Sequence, residues 1–308
     1  MRVLIVGTGY VGLPLGAELA RQGHEVFGLR RNRAAEGELN AVGIKPLFAD
    51  ITRADELARL PREFDWVVNC AASGGGDAEE YRQIYLEGMR NLIEWLAPNR
   101  QAGVPRFVYT SSTSVYGQND GSIVNEQSPA EPAMETARVL LEAEKVLLEG
   151  ARDRNFPAMI LRVAGIYGPE RGHWFKQFLK GEARLNGSGE RFLNMIHRDD
   201  VIGGVIAVLE RGRPGDIYNA VDDEPVSQRD FFSWLAAATS LPMPAGAPTT
   251  PEARKRGVTN KRVSNRKLKA DLGYSFKFPT FREGYAEPIR KLENGGKEAS
   301  RTRAAGNL

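Results

Sequence analysis

The chain has 308 residues, of which 42% are apolar and 26% are charged, a composition typical of a soluble globular protein with one large domain or two fused ones. Its single cysteine, Cys70, excludes an internal disulfide framework and favours a reducing compartment, so we expect a cytoplasmic protein. The net charge of +3 is unevenly distributed, because Arg254 to Arg303 hold 15 basic and 5 acidic residues. No apolar stretch is long enough to span a membrane.

Short apolar runs alternate with helical patterns through the first half of the chain. Strands are predicted at Arg2–Val6, Glu25–Leu29, Lys45–Phe48, Asp65–Asn69, Arg106–Thr110 and Ala158–Val163, and helices at Leu13–Gln22, Tyr81–Leu96 and Glu135–Glu149. Strands this apolar, separated by helices, are typical of a parallel sheet that is covered on both faces. The sequence therefore predicts an α/β fold with a doubly wound Rossmann sheet over residues 1–165.

The second half of the chain is less regular. A strand is predicted at Ile217–Val221 and a helix at Gln228–Thr239, while Pro242–Pro251 has the composition of a loop or lid. We expect residues 166–293 to form a smaller, mixed substrate-binding region with returning sheet elements. Residues 294–308 contain almost no large apolar side chains and are predicted to form a disordered tail.

A glycine-rich loop follows the first predicted strand. It has the pattern G-x-G-x-x-G and consists of Gly7, Thr8, Gly9, Tyr10, Val11 and Gly12. The glycines permit a tight turn and let the backbone approach a diphosphate at the N-terminus of the next helix. The motif alone is weak evidence, but the flanking strands and helix stand where a dinucleotide-binding fold needs them. A glycine turn in a ligand-free α/β fold is the alternative.

The second strand ends in two basic residues, Arg30 and Arg31. In a site that prefers NAD, an acidic side chain at this point binds the adenosine ribose. Two guanidinium groups can instead pair with a 2′-phosphate. The sequence therefore predicts NADP over NAD, with stacking of Arg30 on adenine and a solvated Arg31 as the alternative.

Further motifs follow the ends of the later strands. They are Asp50-Ile51, Cys70-Ala71-Ala72, the serine-rich run Thr110 to Gly117, Leu161-Arg162-Val163, Ile166 to Pro169, Ile196 to Val201, Tyr218-Asn219 and Leu272 to Tyr274. In their order and spacing they resemble the extended short-chain dehydrogenase/reductase group, in its NAD-dependent epimerase/dehydratase branch. The resemblance covers roughly Arg2 to Tyr285.

This resemblance implies roles for particular residues. It implies cofactor contacts at Asp50, Ile51, Ala71, Ala72 and Arg162, in addition to the glycine-rich loop. Ser112 takes the place of the family's catalytic serine or threonine. Trp174–Lys180 and Arg191–Asn194 would face the substrate.

The chain departs from the group at its Tyr-x-x-x-Lys motif. There the lysine lowers the pKa of the tyrosine, which exchanges a proton with the substrate. Counting back from Glu144, the two positions hold Thr136 and Leu140, and neither side chain can do this chemistry. Tyr85 likewise replaces the asparagine that is usual on the preceding helix. The sequence predicts an atypical member without the standard proton relay.

Three side chains are candidates for the missing proton transfer. Tyr116 lies close to Ser112 in sequence, His197 can exchange protons near neutral pH, and Glu135 borders Thr136. Each has a structural alternative, such as packing at a strand end for Tyr116. No metal site is predicted, because the three histidines lack ligand-like spacing.

We expect an NADP-linked oxidoreductase or epimerase that acts on a sugar-like or nucleotide-linked substrate. The alternative is a non-catalytic dinucleotide-binding redox sensor or scaffold, which the loss of the tyrosine and lysine favours. The expected partner is a small molecule that can bear phosphate, with Lys261 and Arg262 as candidate contacts, and the chain can form a homodimer. A net charge near zero argues against nucleic acid, and no membrane partner is expected.

Overall fold

Seven strands, all parallel, form the central sheet in a computed structural model that describes residues 1–75, 77–96, 105–154, 157–247 and 259–305. They are β1 (Arg2–Val6), β2 (Glu25–Arg30), β3 (Ile44–Phe48), β4 (Trp66–Asn69), β5 (Arg106–Ser112), β6 (Ala158–Val163) and β7 (Ile217–Ala220). Their order is β7-β6-β5-β4-β1-β2-β3, so the sheet has its switch point between β1 and β4. This confirms the predicted α/β fold with a doubly wound sheet.

Helices cover the sheet and build the C-terminal region. They are α1 (Gly12–Arg21), α2 (Glu36–Ala41), α3 (Ala54–Leu57), α4 (Ala78–Tyr81), α5 (Gly88–Leu96), α6 (Glu135–Arg154), α7 (His173–Leu179), α8 (Arg198–Arg211), α9 (Gln228–Thr239), α10 (Arg266–Leu272) and α11 (Phe281–Ala305). The predicted helix Tyr81–Leu96 contains a π-helical stretch, Arg82–Glu87, between α4 and α5. Such stretches occur often at functional sites.

Apolar side chains alternate between the two faces of the sheet. On β1, Val3 and Ile5 pack into one buried cluster, whereas Leu4 and Val6 pack into a second cluster on the opposite face. Successive side chains of a strand point to opposite faces, so a strand that is buried on both sides must be apolar throughout. This is why the apolar runs located the strands.

The C-terminal region has a core of its own, built largely from the aromatic side chains of α7, α9 and α11. Asp200 of α8 ties it to the sheet, since its carboxylate accepts hydrogen bonds from Tyr274 Oη (2.9 Å), Lys277 N (2.7 Å) and Phe278 N (2.9 Å). Helix α11 continues to Ala305, through most of the tail for which the sequence predicts disorder. That tail contains almost no large apolar side chains, but Lys, Glu, Ala and Arg, which favour helices, make up about half of it. Residues 248–251 of the predicted loop or lid lie outside the described residues.

A buried ion pair joins α6 to β6 near the carboxyl ends of the strands. Arg162 donates from Nε to Glu144 Oε1 (3.0 Å) and from Nη2 to Oε2 (2.6 Å), and Ser111 Oγ donates to Oε1 (2.6 Å). The two side chains are only 4% and 2% exposed. Burial by itself lowers the pKa of Arg162, but the hydrogen bonds and charge of Glu144 raise it above its usual value, so the guanidinium stays charged.

We expect Glu144→Ala to lower the free energy of unfolding by about 3–5 kcal/mol, because it leaves a buried guanidinium without a counter-charge. Urea unfolding at neutral pH measures this loss. The control is Glu18→Ala, which removes an exposed ion pair with Arg21 and should leave the stability close to that of the wild type. Equal losses in the two variants would contradict the expectation.

Candidate functional site

A cavity of about 510 Å³, here called the first cavity, opens where the carboxyl ends of β1, β2, β4 and β5 meet. Twelve of the sequence-predicted site residues line it: Gly7, Thr8, Gly9, Tyr10, Val11, Arg30, Arg31, Asp50, Ile51, Ala71, Ala72 and Ser112. Gly12, the first residue of α1, does not line the cavity itself. The fold thus brings together segments that are far apart in sequence.

The glycine-rich loop passes close to the end of β4. Gly7 has a φ of +86°, and a Cβ there would lie 2.6 Å from the backbone N and Cα of Ala71, so only glycine fits this position. At Gly9, by contrast, a Cβ would meet no atom within 4 Å. The backbone at Gly9 therefore faces open space just before α1, where the helix N-terminus favours an anion.

The two arginines at the end of β2 each have an acidic neighbour. Arg30 Nη1 donates to Glu38 Oε2 (2.8 Å), and Arg31 Nη1 lies 3.9 Å from Asp50 Oδ2. Both ion pairs are at least partly exposed to solvent. Since both arginines also line the first cavity, their guanidinium groups can exchange these partners for a ligand phosphate.

Ser112 stands where the first cavity adjoins another. Its Oγ accepts a hydrogen bond from Ser114 N (3.1 Å) and so caps the short turn Thr113–Val115. Ser112 and Ile166 also line a second cavity, of about 370 Å³. Of the segments expected to face the substrate, Trp174 and Arg191–Asn194 line this second cavity, while Phe175 and Phe178 are buried in the C-terminal core.

The two positions that correspond to the missing tyrosine and lysine, Thr136 and Leu140, lie on α6. Leu140 lines the first cavity where the resemblance implies a lysine, and Thr136 does not line it. Glu135 is exposed and pairs with Arg82 (3.4 Å). The proton-transfer candidate Glu135 is therefore a surface residue in this structure.

Tyr85 brings a phenol into the first cavity. It belongs to the π-helical stretch, and its Oη accepts a hydrogen bond from Ser73 N (3.2 Å). Burial raises the pKa of Tyr85 above its usual value. In the sequence, this tyrosine differs from the family pattern only by replacing an asparagine, and that replacement is the signal that could have singled it out.

Besides Gly12 and Glu135, three further predicted site residues do not line either cavity. Arg162 is paired with Glu144, and its guanidinium lies 4.9 Å from the centre of the Tyr116 ring. Tyr116 is fully buried and donates from Oη to Asn219 Oδ1 (2.9 Å). His197 caps α8, because its Nδ1 accepts from the backbone N of the second following residue (3.1 Å). Burial lowers the pKa of His197 against the opposing effect of nearby aspartates, which favours the neutral ring.

Arg171 is a cavity residue that the sequence analysis did not identify. It lines the first cavity, and its guanidinium lies 4.9 Å from the centre of the Tyr10 ring in the glycine-rich loop. Tyr10 Oη in turn donates to Pro169 O (2.9 Å). These contacts hold the segment after β6 against the glycine-rich loop and place the guanidinium of Arg171 beside that loop.

Comparison with known proteins agrees with this architecture. The model of the NAD dependent epimerase/dehydratase family matches residues 3–220. The chain belongs to this family.

Individual relatives match most of the chain. It is 28% identical to Protein YeeZ of Escherichia coli (strain K12), over 90% of this chain and 96% of that protein. It is 29% identical to a 3-beta-hydroxysteroid dehydrogenase of Mycolicibacterium neoaurum, over 94% of this chain and 79% of that protein. The solved structure of DesIV, a dTDP-glucose 4,6-dehydratase from Streptomyces venezuelae with NAD bound, is 25% identical with a TM-score of 0.80, and the match covers 96% of this chain and 98% of that one.

The residues present fit the nicotinamide dinucleotide that this family binds. The backbone at Gly9 is free of protein atoms within 4 Å of an added Cβ, which leaves space for a ligand group beside α1. The buried Oγ1 of Thr8 in the same loop makes no hydrogen bond to a described residue. Burial raises the pKa of Cys70 to about 12, which favours the protonated thiol over the nucleophilic thiolate in the cavity wall.

The part of the chain that the structure describes contains no group of three or more His, Cys, Asp or Glu side chains that could hold a metal ion. Within that part, no helix has the length and apolar character needed to cross a membrane.

We expect Gly9→Val to weaken binding of NADH and NADPH by about tenfold or more, because the side chain fills the space open to the diphosphate. The Tm should not fall, since the new Cβ meets no protein atom within 4 Å. Nicotinamide fluorescence titration and thermal unfolding measure the two effects. Gly37→Val, at an exposed glycine with equally free surroundings on α2, is the control and should bind normally. Unchanged binding in Gly9→Val would refute the placement.

Proposed function

We propose that the protein is an NAD(P)-dependent oxidoreductase or epimerase that acts on a secondary carbinol of a small, sugar-like or nucleotide-linked molecule. The observation that carries this proposal is the position of Ser112, which lines both cavities. Its hydroxyl can hold the reacting oxygen of a substrate in the second cavity beside a dinucleotide in the first. The bound dinucleotide supplies the redox chemistry. The chain's own residues must orient the substrate and move the proton.

The same proposal assigns the cofactor contacts. They are the lining residues of the glycine-rich loop together with Arg30, Arg31, Asp50, Ile51, Ala71 and Ala72. Arg162, for which the resemblance implied such a contact, is instead proposed to position β5 and α6, because its guanidinium is engaged with Glu144.

Within this function, NADP is the proposed cofactor in preference to NAD. Two features support it. Arg30 and Arg31 line the first cavity at the end of β2, and each side chain stays partly exposed to solvent while it pairs with its carboxylate. DesIV is a structure with NAD bound, so that comparison does not favour NADP. The preference rests on the two arginines alone.

Replacing both arginines, as Arg30→Gln with Arg31→Gln, should weaken NADPH binding by about tenfold or more and leave NADH binding within about twofold. The reason is that only NADPH carries the 2′-phosphate with which the guanidinium groups pair. Fluorescence titration with each dinucleotide measures the effect. Arg33→Gln is the control, because that side chain lies over Phe48 (4.9 Å from the ring centre). Tighter binding of NADH than of NADPH by the wild type would overturn the preference.

For proton transfer we propose Tyr85 in place of the residues considered from sequence. It and Tyr10 are the only tyrosines among the described residues that line the first cavity, and Tyr10 is engaged with the loop after β6. Tyr116 and His197 are proposed to support the fold and to take no part in the reaction, since neither lines a cavity and each has a partner inside the fold.

The second candidate function is a dinucleotide-binding redox sensor or scaffold without turnover. Leu140 favours it, because an apolar side chain occupies the cavity position where the family resemblance implies a lysine. Nothing at that position lowers the pKa of a phenol, and burial raises the pKa of Tyr85. An enzyme of this design would be slow at neutral pH.

Turnover separates the two candidates. NADPH absorbance followed with nucleotide-sugars and small ketones should show activity in the wild type and a loss of about a hundredfold in Ser112→Ala and in Tyr85→Phe. Tyr116→Phe is the control: it loses the hydrogen bond to Asn219 and should unfold more easily but keep its kcat. An inert wild type that binds NADPH tightly would support the sensor instead.

Location and assembly remain predictions. The single cysteine favours the cytoplasm. A homodimer and the absence of a nucleic-acid partner stay predictions as well.

A further inference from the structure

Two cations line the second cavity, Lys261 and Arg191. Lys261 is only 4% exposed, and its Nζ donates to the carbonyl oxygen of Tyr116 (2.8 Å) and to Thr259 Oγ1 (2.9 Å). Arg191 is partly buried, and its Nε donates to Thr259 O (2.9 Å). Both charged groups are therefore fixed by the same threonine and stand near each other.

Neither cation has an acidic partner within the described ranges. No ion pair joins Lys261 or Arg191 to a described carboxylate, and the cavity lining contains no aspartate or glutamate. Burial lowers the pKa of Arg191, and burial together with the charge of Arg191 lowers the pKa of Lys261 to about 8. The two like charges thus face one cavity without compensation.

A buried charge without a counter-charge is costly. The terminal nitrogens of Arg191 make no hydrogen bond to a described residue, so they and the Lys261 ammonium have donors free for a ligand. We propose that Lys261 and Arg191 form the binding site of an oxyanion, a carboxylate or a phosphate group, which the substrate carries. This inference rests on the proposed function in taking the second cavity as the substrate site.

The pair differs from the one that sequence alone suggested. Arg262 follows Lys261 directly, but it is exposed, donates from Nε to Gly121 O (2.9 Å) and lies over the Phe192 ring (5.1 Å to its centre). Of the two, only Lys261 lines the second cavity, while Arg262 begins a short strand, Arg262–Val263. Arg191 supplies the second cation from a different segment.

The two segments are fixed to each other before any ligand binds. Asn194 Nδ2 donates to Lys261 O (2.9 Å), and Val263 N donates to Asn194 Oδ1 (2.7 Å). Phe192 N also donates to Asn260 Oδ1 (2.9 Å). These hydrogen bonds hold the two cations at a constant separation, which reduces the conformational entropy that the protein loses when a ligand binds.

The place of the pair narrows the substrate class. Ser112 lines the same cavity of about 370 Å³, so the anionic group and the reacting carbinol would lie in one compartment. A hydroxy acid, an oxo acid or a sugar phosphate has this arrangement. A neutral substrate would leave both cations uncompensated.

Sulfate titrated calorimetrically into the NADPH-saturated protein, at constant ionic strength, tests the site. The dinucleotide occupies the glycine-rich loop, so sulfate reports on the second cavity. We expect Arg191→Met and Lys261→Met to weaken sulfate binding by about tenfold or more, and the control Arg262→Met to change it by less than about twofold. NADPH binding should be the same in all variants, which shows that they fold.

The pH dependence distinguishes the lysine from a general loss of charge. Between about pH 7 and about pH 9 sulfate keeps its charge while Lys261 loses its proton, so affinity should fall as pH rises. Arg191, His173, Tyr167 and Tyr285 also face this cavity, and burial raises the pKa of both tyrosines out of this range. Lys261→Arg should bind sulfate without this fall, and His173→Gln should retain it.

Acetate and methyl phosphate, titrated in the same way, distinguish a carboxylate from a phosphate as the natural group. Equal losses in Arg262→Met and Arg191→Met, or no binding of any of the three anions by the wild type, would overturn the inference. Failure of NADPH to bind the wild type would instead count against the proposed function. Even then, the comparison of the variants still reports on the anion site.

Discussion

The buried ion pair between Glu144 and Arg162 holds together the part of the sheet against which both cavities are built. From this pair a chain of contacts runs outward: Arg162 lies against the ring of Tyr116, whose hydroxyl binds Asn219 on β7 and whose carbonyl accepts from Lys261. Buried ion pairs add little net stability, yet breaking one is costly. The pair therefore favours this packing of α6 against β6 over other packings, because each of those would leave one of the two charges buried without its partner.

That constraint explains why family motifs and cavity residues coincide only in part. Arg162 and Tyr116 belong to segments that resemble the family's cofactor-binding and catalytic motifs, but their polar groups are used inside the fold. The Nδ1 of His197 likewise accepts a hydrogen bond from the backbone at the N-terminus of α8. A motif residue can thus support the geometry of a site without facing it, and a sequence does not distinguish the two roles.

The sheet and the glycine-rich loop were predictable because local sequence determines them. A strand buried on both faces needs a continuous apolar run, which β1 has from Val3 to Val6 and β6 has from Ala158 to Leu161. The contact between Gly7 and Ala71 tolerates no side chain. Most strand and helix ends shifted by one or two residues, but α6 extends five residues past its predicted end at Glu149. The π-helical stretch that carries Tyr85 into the cavity has no such local signature. The partners of Lys261 come from segments near residues 116 and 259, so its burial depends on tertiary packing that no window of sequence contains.

Ion pairs in the folded structure partly balance the charge that is unevenly distributed along the sequence. Four basic residues of the C-terminal stretch pair with acidic residues that precede it: Lys267 with Asp216, Lys269 with Asp223, Lys277 with Asp199 and Arg282 with Glu224. Part of the basic stretch is therefore counter-charge for the rest of the protein, which weakens the reason to seek a polyanionic partner for it. Lys261 differs from these four because it is buried, faces a cavity and has no described acidic partner. In the anion site that we propose, its counter-charge is a ligand oxyanion, and the cavity beside Ser112 is where that ligand can enter.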